Sequence, residues 1–298
     1  MIKRTLYFGN PAYLKTSNEQ MVIELPESGE TKSASIEDIG LLILDHQQIT
    51  LTQALITKLL ANNVALVTCD GTHHPTGMLL NLDGHTLQSQ KFQAQIEATV
   101  PLKKQLWQQT VEAKLANQAA VLAIEKAENN YLLNLAKTVK SGDVDNCEAK
   151  GAAYYWKAVF PDFLAFRRER YGPPPNNLLN YGYAIIRAIV ARSLVGSGLL
   201  PTLGIFHRNQ YNAYCLADDI MEPYRPFVDK VVCQLVRSNG KFLEMTPAMK
   251  TALLAIPASD VLIEGQKSPL MNAVQKTTAS LSKCFEGKVR KITYPTLN

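Results

Sequence analysis

The chain has 298 residues, of which 46% are hydrophobic and 19% charged, a balance typical of a globular protein with a buried core. No apolar run is long enough to cross a bilayer and the first residues lack the apolar centre of a secretory signal, so we expect neither a membrane span nor export. The five cysteines form no C-x-x-C pair, which argues against a disulfide framework and favours the reducing cytoplasm.

The net charge of +5 is spread unevenly along the chain. Residues 1–97 carry six Lys and Arg against ten Asp and Glu, whereas residues 98–298 carry 25 against 16. A basic half beside an acidic half indicates that one half meets a polyanion such as nucleic acid. A helical region with many surface lysines is the alternative, and the sequence leaves it open.

The chain divides into a sheet-rich part and a helical part, which predicts an α+β fold with domains at residues 1–87 and 88–298. Short aromatic and β-branched segments predict strands over residues 4–8, 13–15, 20–25, 33–36, 40–44 and 64–68, with one helix over 51–61 that follows Thr50 as its cap. Strong helix formers then predict helices over residues 88–100, 102–126, 131–139, 178–196, 227–236, 246–256 and 269–285, with a further helix from residue 147.

Several large enzyme classes lack support in this sequence. It contains no G-x-x-x-x-G-K-[ST] phosphate loop and no G-x-G-x-x-G turn. It also contains no H-E-x-x-H pair and no G-x-S-x-G elbow. A nucleotide-hydrolysing motor, a Rossmann dehydrogenase and a zinc protease are therefore unsupported.

The segment 204–226 (GIFHRNQYNAYCLADDIMEPYRP) carries the strongest candidate chemistry, with His207 followed by Asp218, Asp219 and Glu222. On a helix these acids are three and four residues apart, so they share a face and repel each other unless a cation intervenes. Carboxylates with one imidazole suit Mg²⁺ or Mn²⁺. A solvated acidic helix face beside a loop histidine is an equally good interpretation of these residues alone.

Glu148 is a further candidate. It lies in the first turn of a helix that Asp145 or Asn146 is expected to cap, where the helix dipole favours an acid without any catalytic role. However, the small residues Gly151, Ala152 and Ala153 let another helix approach closely. A glutamate facing such a partner helix needs a cation or a donor.

Arginines form the candidate phosphate contacts. Three of them fall within four residues beside a proline-rich loop, a pattern that suits phosphate binding and equally suits a solvated helix end. A fourth, Arg187, is on the polar side of the helix over 178–196, and a fifth, Arg208, directly follows the candidate histidine. The candidate DNA contacts are Arg167, Arg168, Arg170, Arg187 and Arg208.

Three segments in this order and spacing resemble the CRISPR-associated integrase family, the larger of the two universal spacer-acquisition proteins of this antiviral defence, and most resemble its type II branch. The segments are 146–156 (NCEAKGAAYYW), 174–183 (PPNNLLNYGY) and 204–226, with its G-x-x-H start and LADDIMEPYRP end. The G-x-x-H pattern alone is weak, and the three together are specific. The general layout agrees along the whole chain.

The resemblance implies a small β-sandwich-like N-terminal domain for dimerisation and partner contacts, and a larger all-α catalytic, DNA-binding domain. It implies a homodimer that joins a small ferredoxin-like partner protein in a heterohexamer, acting on double-stranded spacer and repeat DNA. It also implies metal ligands at Glu148, His207 and Glu222, with Asp219 as an accessory acid. Many relatives have Asp where this chain has Glu222, which leaves the choice between Mg²⁺ and Mn²⁺ open.

The implied activity is a metal-dependent endonuclease and integrase that joins the 3′-hydroxyl ends of short spacer DNA into the repeat by transesterification. His207 is either a metal ligand or a proton-transfer group. Two alternatives remain. One is a non-catalytic DNA-binding scaffold whose acids are paired with nearby arginines, and the other is an unrelated helical phosphohydrolase acting on small substrates.

Overall fold

The N-terminal part of the computed structural model consists of strands around one helix, and the structure describes residues 3–161, 163, 166–240 and 244–297. The elements in chain order are β1 (Arg4–Phe8), β2 (Ala12–Ser17), β3 (Gln20–Leu25), β4 (Glu30–Ser35), β5 (Ile39–Leu44), β6 (Ile49–Leu51), α1 (Gln53–Ala61), β7 (Ala65–Cys69) and β8 (Pro75–Leu79). The predicted strands lie at these positions, but Thr52 rather than Thr50 caps α1, since its side chain accepts a hydrogen bond from the Leu55 amide.

Two four-stranded sheets enclose one buried cluster in this part. The first sheet has the order β1-β5-β7-β8, with β8 antiparallel to its neighbour, and the second has the order β4-β3-β2-β6. Leu14 and Met21 from the second sheet pack with Leu42 and Leu66 from the first and with Leu55 from α1. This arrangement agrees with the β-sandwich-like region that the resemblance implies.

The rest of the chain is mostly helical. Its elements are α2 (Gln88–Ile96), α3 (Val100–Ile124), α4 (Asn130–Thr138), α5 (Cys147–Val159), α6 (Asn176–Gly196), α7 (Cys215–Met221), α8 (Arg225–Asn239), α9 (Pro247–Leu254), β9 (Asp260–Ile263), β10 (Gln266–Pro269) and α10 (Leu270–Phe285). The all-α expectation for this part is therefore wrong in detail, because β9 and β10 pair as an antiparallel hairpin. Glu264 and Gly265, both at positive φ, form the tight turn that joins them.

The division into domains at residues 1–87 and 88–298 stays a prediction. The helix α2 begins at Gln88. However, Leu41, Ile43 and Val67 of the first sheet belong to the same buried cluster as the helices. The alternating side chains of β5 thus face two cores, which explains why this strand is apolar at nearly every position.

The helix α6 lies at the centre of the helical part. It is long and apolar enough to cross a membrane by composition, but 78% of its apolar window is buried inside the protein, as in a core helix. A Cβ atom at Gly182 would lie 2.4 Å from a methyl carbon of Val228, so the close approach of α6 and α8 requires glycine there. The glycine of the N-Y-G-Y pattern is thus explained by helix packing.

A buried carboxylate joins three helices. The phenol hydroxyls of Tyr155 and Tyr183 both donate to Asp229, which is 1% exposed. Burial raises the pKa of Asp229 to about 6, although the two phenols and the nearby Arg225 and Arg168 oppose the shift. The unfolded chain ionises this group near pH 4, so the free energy of unfolding falls as the pH rises from about 4 to about 6.

We expect Asp229→Asn to remove about 3 kcal/mol of pH-dependent loss of stability, because the amide does not titrate. Its Oδ1 accepts from one phenol, and its Nδ2 donates to the hydroxyl oxygen of the other. Denaturant unfolding of both proteins at pH 4 to 7 measures the difference. Asp83→Asn, at an exposed position, is the control and should keep the wild-type dependence. Parallel curves for Asp229→Asn and wild type would contradict the assignment.

Candidate active site

Glu148 lies in the first turn of α5, where the preceding 3₁₀ turn holds it in place. The Asp143 carboxylate accepts hydrogen bonds from the backbone N–H groups of Cys147, at 2.7 Å, and Glu148, at 2.9 Å. Asn146 is the N-cap residue, one of the two predicted positions, but its side chain makes no capping hydrogen bond, and Asp143 supplies the side-chain cap instead. This double contact directs the first turn of α5 toward α3.

Lys114 of α3 brings two of the predicted site residues together. Its ammonium donates a hydrogen bond to Glu148 Oε1 and lies 2.6 Å from Glu222 Oε2, in the turn that follows α7. The Lys114 side chain is only 8% exposed, and that of Glu222 is 9% exposed. Because both carboxylates contact one nitrogen, they lie within about 5 to 6 Å of each other, two hydrogen-bond lengths.

These charges hold each other in the ionised state. Burial alone would raise the pKa of Glu222, but Arg225 and Lys114 outweigh it and lower the pKa to about 2. Burial would likewise lower the pKa of Lys114, but Glu222 and Glu148 outweigh it and raise the pKa. Arg225 Nε donates to the second oxygen of Glu222 at 2.7 Å. Lys114, Glu222 and Arg225 are therefore a largely buried set of alternating charges at neutral pH.

His207 is positioned by Asp219. The imidazole Nδ1 pairs with the fully buried Asp219 carboxylate, which also accepts the backbone N–H groups of Phe206, at 2.9 Å, and His207, at 3.2 Å. The hydrogen bond to Asp219 raises the pKa of His207, against the opposing effect of burial. With Nδ1 engaged, the ring turns its Nε2 atom away from Asp219, and its side chain is 47% exposed.

The glycine of the G-x-x-H pattern has a steric role. A Cβ atom at Gly204 would lie 2.4 Å from the His207 carbonyl oxygen and 2.8 Å from Asp219 Oδ2. On the other side of the loop, Trp107 of α3 stacks on Phe206 with ring centroids 4.2 Å apart and meets the edge of the His207 ring. The loop that carries the histidine is thus clamped between α7 and α3.

The three acids of the segment 204–226 are buried and paired, so the interpretation as a solvated acidic helix face is wrong. Asp218 accepts from Arg187 Nε at 2.7 Å and from Asn212 at 2.7 Å. Asp219 pairs with His207, while Glu222 pairs with Lys114 and Arg225. Each acid is therefore paired with a basic side chain or with a histidine.

The predicted metal ligands have donor atoms of the kind that a divalent cation binds. Two carboxylates and an imidazole provide the oxygen and nitrogen donors that Mg²⁺ or Mn²⁺ uses. Glu222 Oε2 is buried and lies 2.6 Å from the Lys114 ammonium without a hydrogen bond of good geometry, so another cation could bind this oxygen if the ammonium left it. In the present arrangement, the described residues include no group of three or more His, Cys, Asp or Glu side chains gathered for a metal. Between Glu148 and Glu222 lies the Lys114 ammonium instead.

A cavity of about 340 Å³ adjoins this site and is strongly basic. Arg168, Arg170, Arg187 and Arg225 line it, and among its described lining residues none is Asp or Glu. The guanidinium groups of Arg168 and Arg225 lie 5.1 Å and 4.5 Å from the centre of the Tyr183 ring. Four cations without a lining carboxylate form a site that favours an anion such as phosphate.

The structure brings together only part of the predicted arginine set. Arg168, Arg170 and Arg187 share the cavity, whereas Arg167 and Arg208 are exposed and do not line it. Arg225 was not among the predicted residues, although it follows Glu222 by three residues and joins the candidate metal site to the cavity. The i,i+3 spacing of Arg225 from Glu222 was the sequence signal that could have predicted this ion pair.

Lys114 was also missed. It occupies a buried stripe of α3, and a lysine among buried positions at helical spacing was the sequence signal for an unusual role. The stripe consists of Trp107, Val111, Lys114, Gln118 and Val121. Lys114 and Trp107 are seven residues apart, so one face of α3 contacts both the carboxylates and the histidine loop.

Comparisons with known proteins identify the family of this chain. The family model described as CRISPR associated protein Cas1 matches residues 6–244. The CRISPR-associated endonuclease Cas1 of Neisseria meningitidis serogroup C (strain 8013) is 35% identical over 284 residues, which cover 94% of this chain and 91% of that protein.

Solved structures share the fold. A casposase bound to integration product superposes with a TM-score of 0.79 at 20% identity, over 98% of this chain and 92% of that one. A chain of a Cas6-RT-Cas1–Cas2 complex gives a TM-score of 0.77 at 18% identity, over 100% of this chain and 37% of that longer chain. The family match, which spans most of the chain, confirms the resemblance drawn from the three motifs: this chain belongs to the family of the CRISPR-associated protein Cas1.

Proposed function

We propose that this protein is a metal-dependent DNA endonuclease and integrase of CRISPR adaptation. It would join the 3′-hydroxyl ends of short spacer DNA into the repeat of a CRISPR array. The observation that carries the proposal is the convergence of Glu148 and Glu222 on one buried cationic position, beside an arginine-lined cavity. The Neisseria relative is named an endonuclease, and the similar casposase was solved with an integration product.

In this proposal Glu148, Glu222 and His207 hold Mg²⁺ or Mn²⁺, and Asp219 orients the imidazole through Nδ1. The bound ion would neutralise charge that develops on the phosphoryl, attacking and leaving oxygens. Without a metal bond, His207 would instead receive the proton of the attacking hydroxyl. The spacer 3′-oxygen forms the new P–O bond while the repeat 3′-oxygen leaves with a proton, so no nucleotide triphosphate is consumed.

The arginine-lined cavity supplies a second part of the proposal. Arg168, Arg170 and Arg187 would bind DNA phosphates and so place a strand next to Glu222, with which Arg225 pairs. Phosphate binding by several arginines releases counterions and makes DNA affinity depend on salt. Arg167 and Arg208 are exposed and would add contacts outside the cavity.

We further propose an assembly and a location. The protein would act as a homodimer with a small ferredoxin-like partner in a heterohexamer on double-stranded spacer and repeat DNA. The Cas1–Cas2 complexes among the similar structures support a partner of this kind. The five cysteines are free thiols, which suits the cytoplasm.

A non-catalytic DNA-binding scaffold is the second candidate, and one observation favours it. Asp218, Asp219 and Glu222 are each paired with a cationic side chain or a histidine, as expected of acids that serve structure alone. Metal dependence separates the two candidates. An enzyme of this type needs a divalent ion, whereas a scaffold binds DNA equally well with a chelator.

We expect Glu148→Ala, His207→Ala and Glu222→Ala each to lower strand transfer at least about 100-fold, because each removes a metal-binding or proton-transfer group. The assay joins a short duplex with free 3′-hydroxyls to a supercoiled plasmid carrying a repeat, with the small partner and with Mg²⁺, Mn²⁺ or EDTA. Glu286→Ala, which removes a partner of Lys91 outside this site, is the control.

Joining that continues in EDTA, or that survives all three substitutions, would contradict the integrase proposal. Metal-independent DNA binding without any joining would favour the scaffold. Strand transfer that is retained in Glu222→Ala but lost in the other two variants would assign the third metal ligand to Asp219 instead of Glu222.

We expect Arg170→Gln and Arg187→Gln each to weaken DNA binding several-fold and to reduce the slope of log affinity against log salt by about 1, since each removes one phosphate contact. Fluorescence anisotropy with a labelled duplex at several salt concentrations measures both quantities. Arg237→Gln is the matched control, because Arg237 pairs with Glu125 and does not line the cavity. Equal salt slopes for all four proteins would contradict the assignment of the cavity.

A further inference from the structure

We propose that Lys114 is a built-in competitor of the divalent metal, a positioning residue that holds Glu148 and Glu222 in the metal-free protein and sets their affinity for the ion. This inference rests on the metal site of the proposed function. It concerns a residue on α3 that none of the sequence motifs includes.

The contacts of Lys114 support this role. Its ammonium is hydrogen-bonded to Glu148 Oε1 and lies 2.6 Å from Glu222 Oε2, the oxygen that has no hydrogen-bond donor of good geometry. A divalent ion shared by the two glutamates would bind these same oxygens. The ammonium and the ion therefore exclude each other from one position.

Burial makes the competition strong. The Lys114 side chain is 8% exposed, so the surrounding water screens its charge weakly. Without a counter-ion, the buried Glu222 carboxylate and the partly exposed Glu148 carboxylate would repel each other. Lys114 thus allows the two carboxylates to lie close together before any metal arrives.

A lysine side chain is better suited than an arginine side chain to act as an exchangeable cation. Its ammonium is a compact charge at the end of a flexible four-carbon stem, so it can leave the carboxylates by rotating that stem. Arg225 behaves differently, because its Nε donates to the other oxygen of Glu222 while its guanidinium lies on the Tyr183 ring. We therefore assign the exchange to Lys114 and a fixed role to Arg225.

The first test measures Mn²⁺ binding by calorimetry and by the loss of the free-ion electron paramagnetic resonance signal. Lys114→Met removes the charge and keeps a linear side chain, so Mn²⁺ should bind on the order of tenfold tighter or more than to wild type. Lys114→Arg keeps the charge and should bind no tighter than wild type. Lys91→Met is the matched control, because Lys91 is also largely buried in an ion pair, with Glu286.

A second measurement uses the wild-type protein and does not depend on the folding of a variant. Amine acetylation, quantified by mass spectrometry, should be slow at Lys114 and several-fold faster with saturating Mn²⁺, since the ion releases the ammonium from the carboxylates. Acetylation of Lys91 should not change.

The outcomes separate this inference from the proposed function. Equal or weaker Mn²⁺ binding by folded Lys114→Met, or unchanged acetylation of Lys114 in saturating Mn²⁺, would overturn the role of Lys114 alone. No Mn²⁺ binding by wild type or any variant would overturn the proposed metal site itself. If Lys114→Met does not fold, the acetylation result decides.

Discussion

Two carboxylates that lie side by side, one of them buried, need a cation between them, because water no longer fully screens their repulsion. In this protein the constraint is met by Lys114, whose ammonium contacts Glu148 and Glu222. The helix that carries Lys114 also presents Trp107 to the His207 loop, two turns earlier on the same face. The packing of α3 therefore determines how α5, the loop and the end of α7 meet.

This arrangement explains why the same geometry supports two candidate functions. Acids paired with cations are what a structural scaffold requires, and acids converging on one cation are what a metal site requires. The proposed function takes the second. In that case the adjacent arginines would place positive charge beside the site, where a DNA strand would lie.

Much of the fold followed from the sequence because it depends on local patterns. The apolar periodicity of α6 and the strand-length apolar segment at β5 identified both elements close to their observed bounds. The turn at Glu264 and Gly265 was overlooked, so the hairpin in the helical part was missed. The side chain that caps α5 was not predicted, because Asp143 reaches the first turn from the preceding 3₁₀ turn instead of from the N-cap position.

The candidate site was only partly predictable for a similar reason. Motifs singled out Glu148, His207, Asp219 and Glu222, whereas the partner that joins two of them lies far away in sequence. Lys114 is 34 residues before Glu148, and only the packing of α3 against α5 and α7 brings it there. The grouping of arginines from the loop before α6, from α6 and from α8 likewise depends on tertiary structure.

The central claim is that a divalent ion takes the position between Glu148 and Glu222 when the protein acts on DNA. Crystals of the protein with its small partner and spacer DNA, grown in Mn²⁺, test it through the anomalous signal of the metal. The account predicts a peak that contacts both carboxylates, with the Lys114 ammonium withdrawn. A DNA-bound, joining-competent complex without that peak, in which Lys114 still bridges the two carboxylates, would contradict it.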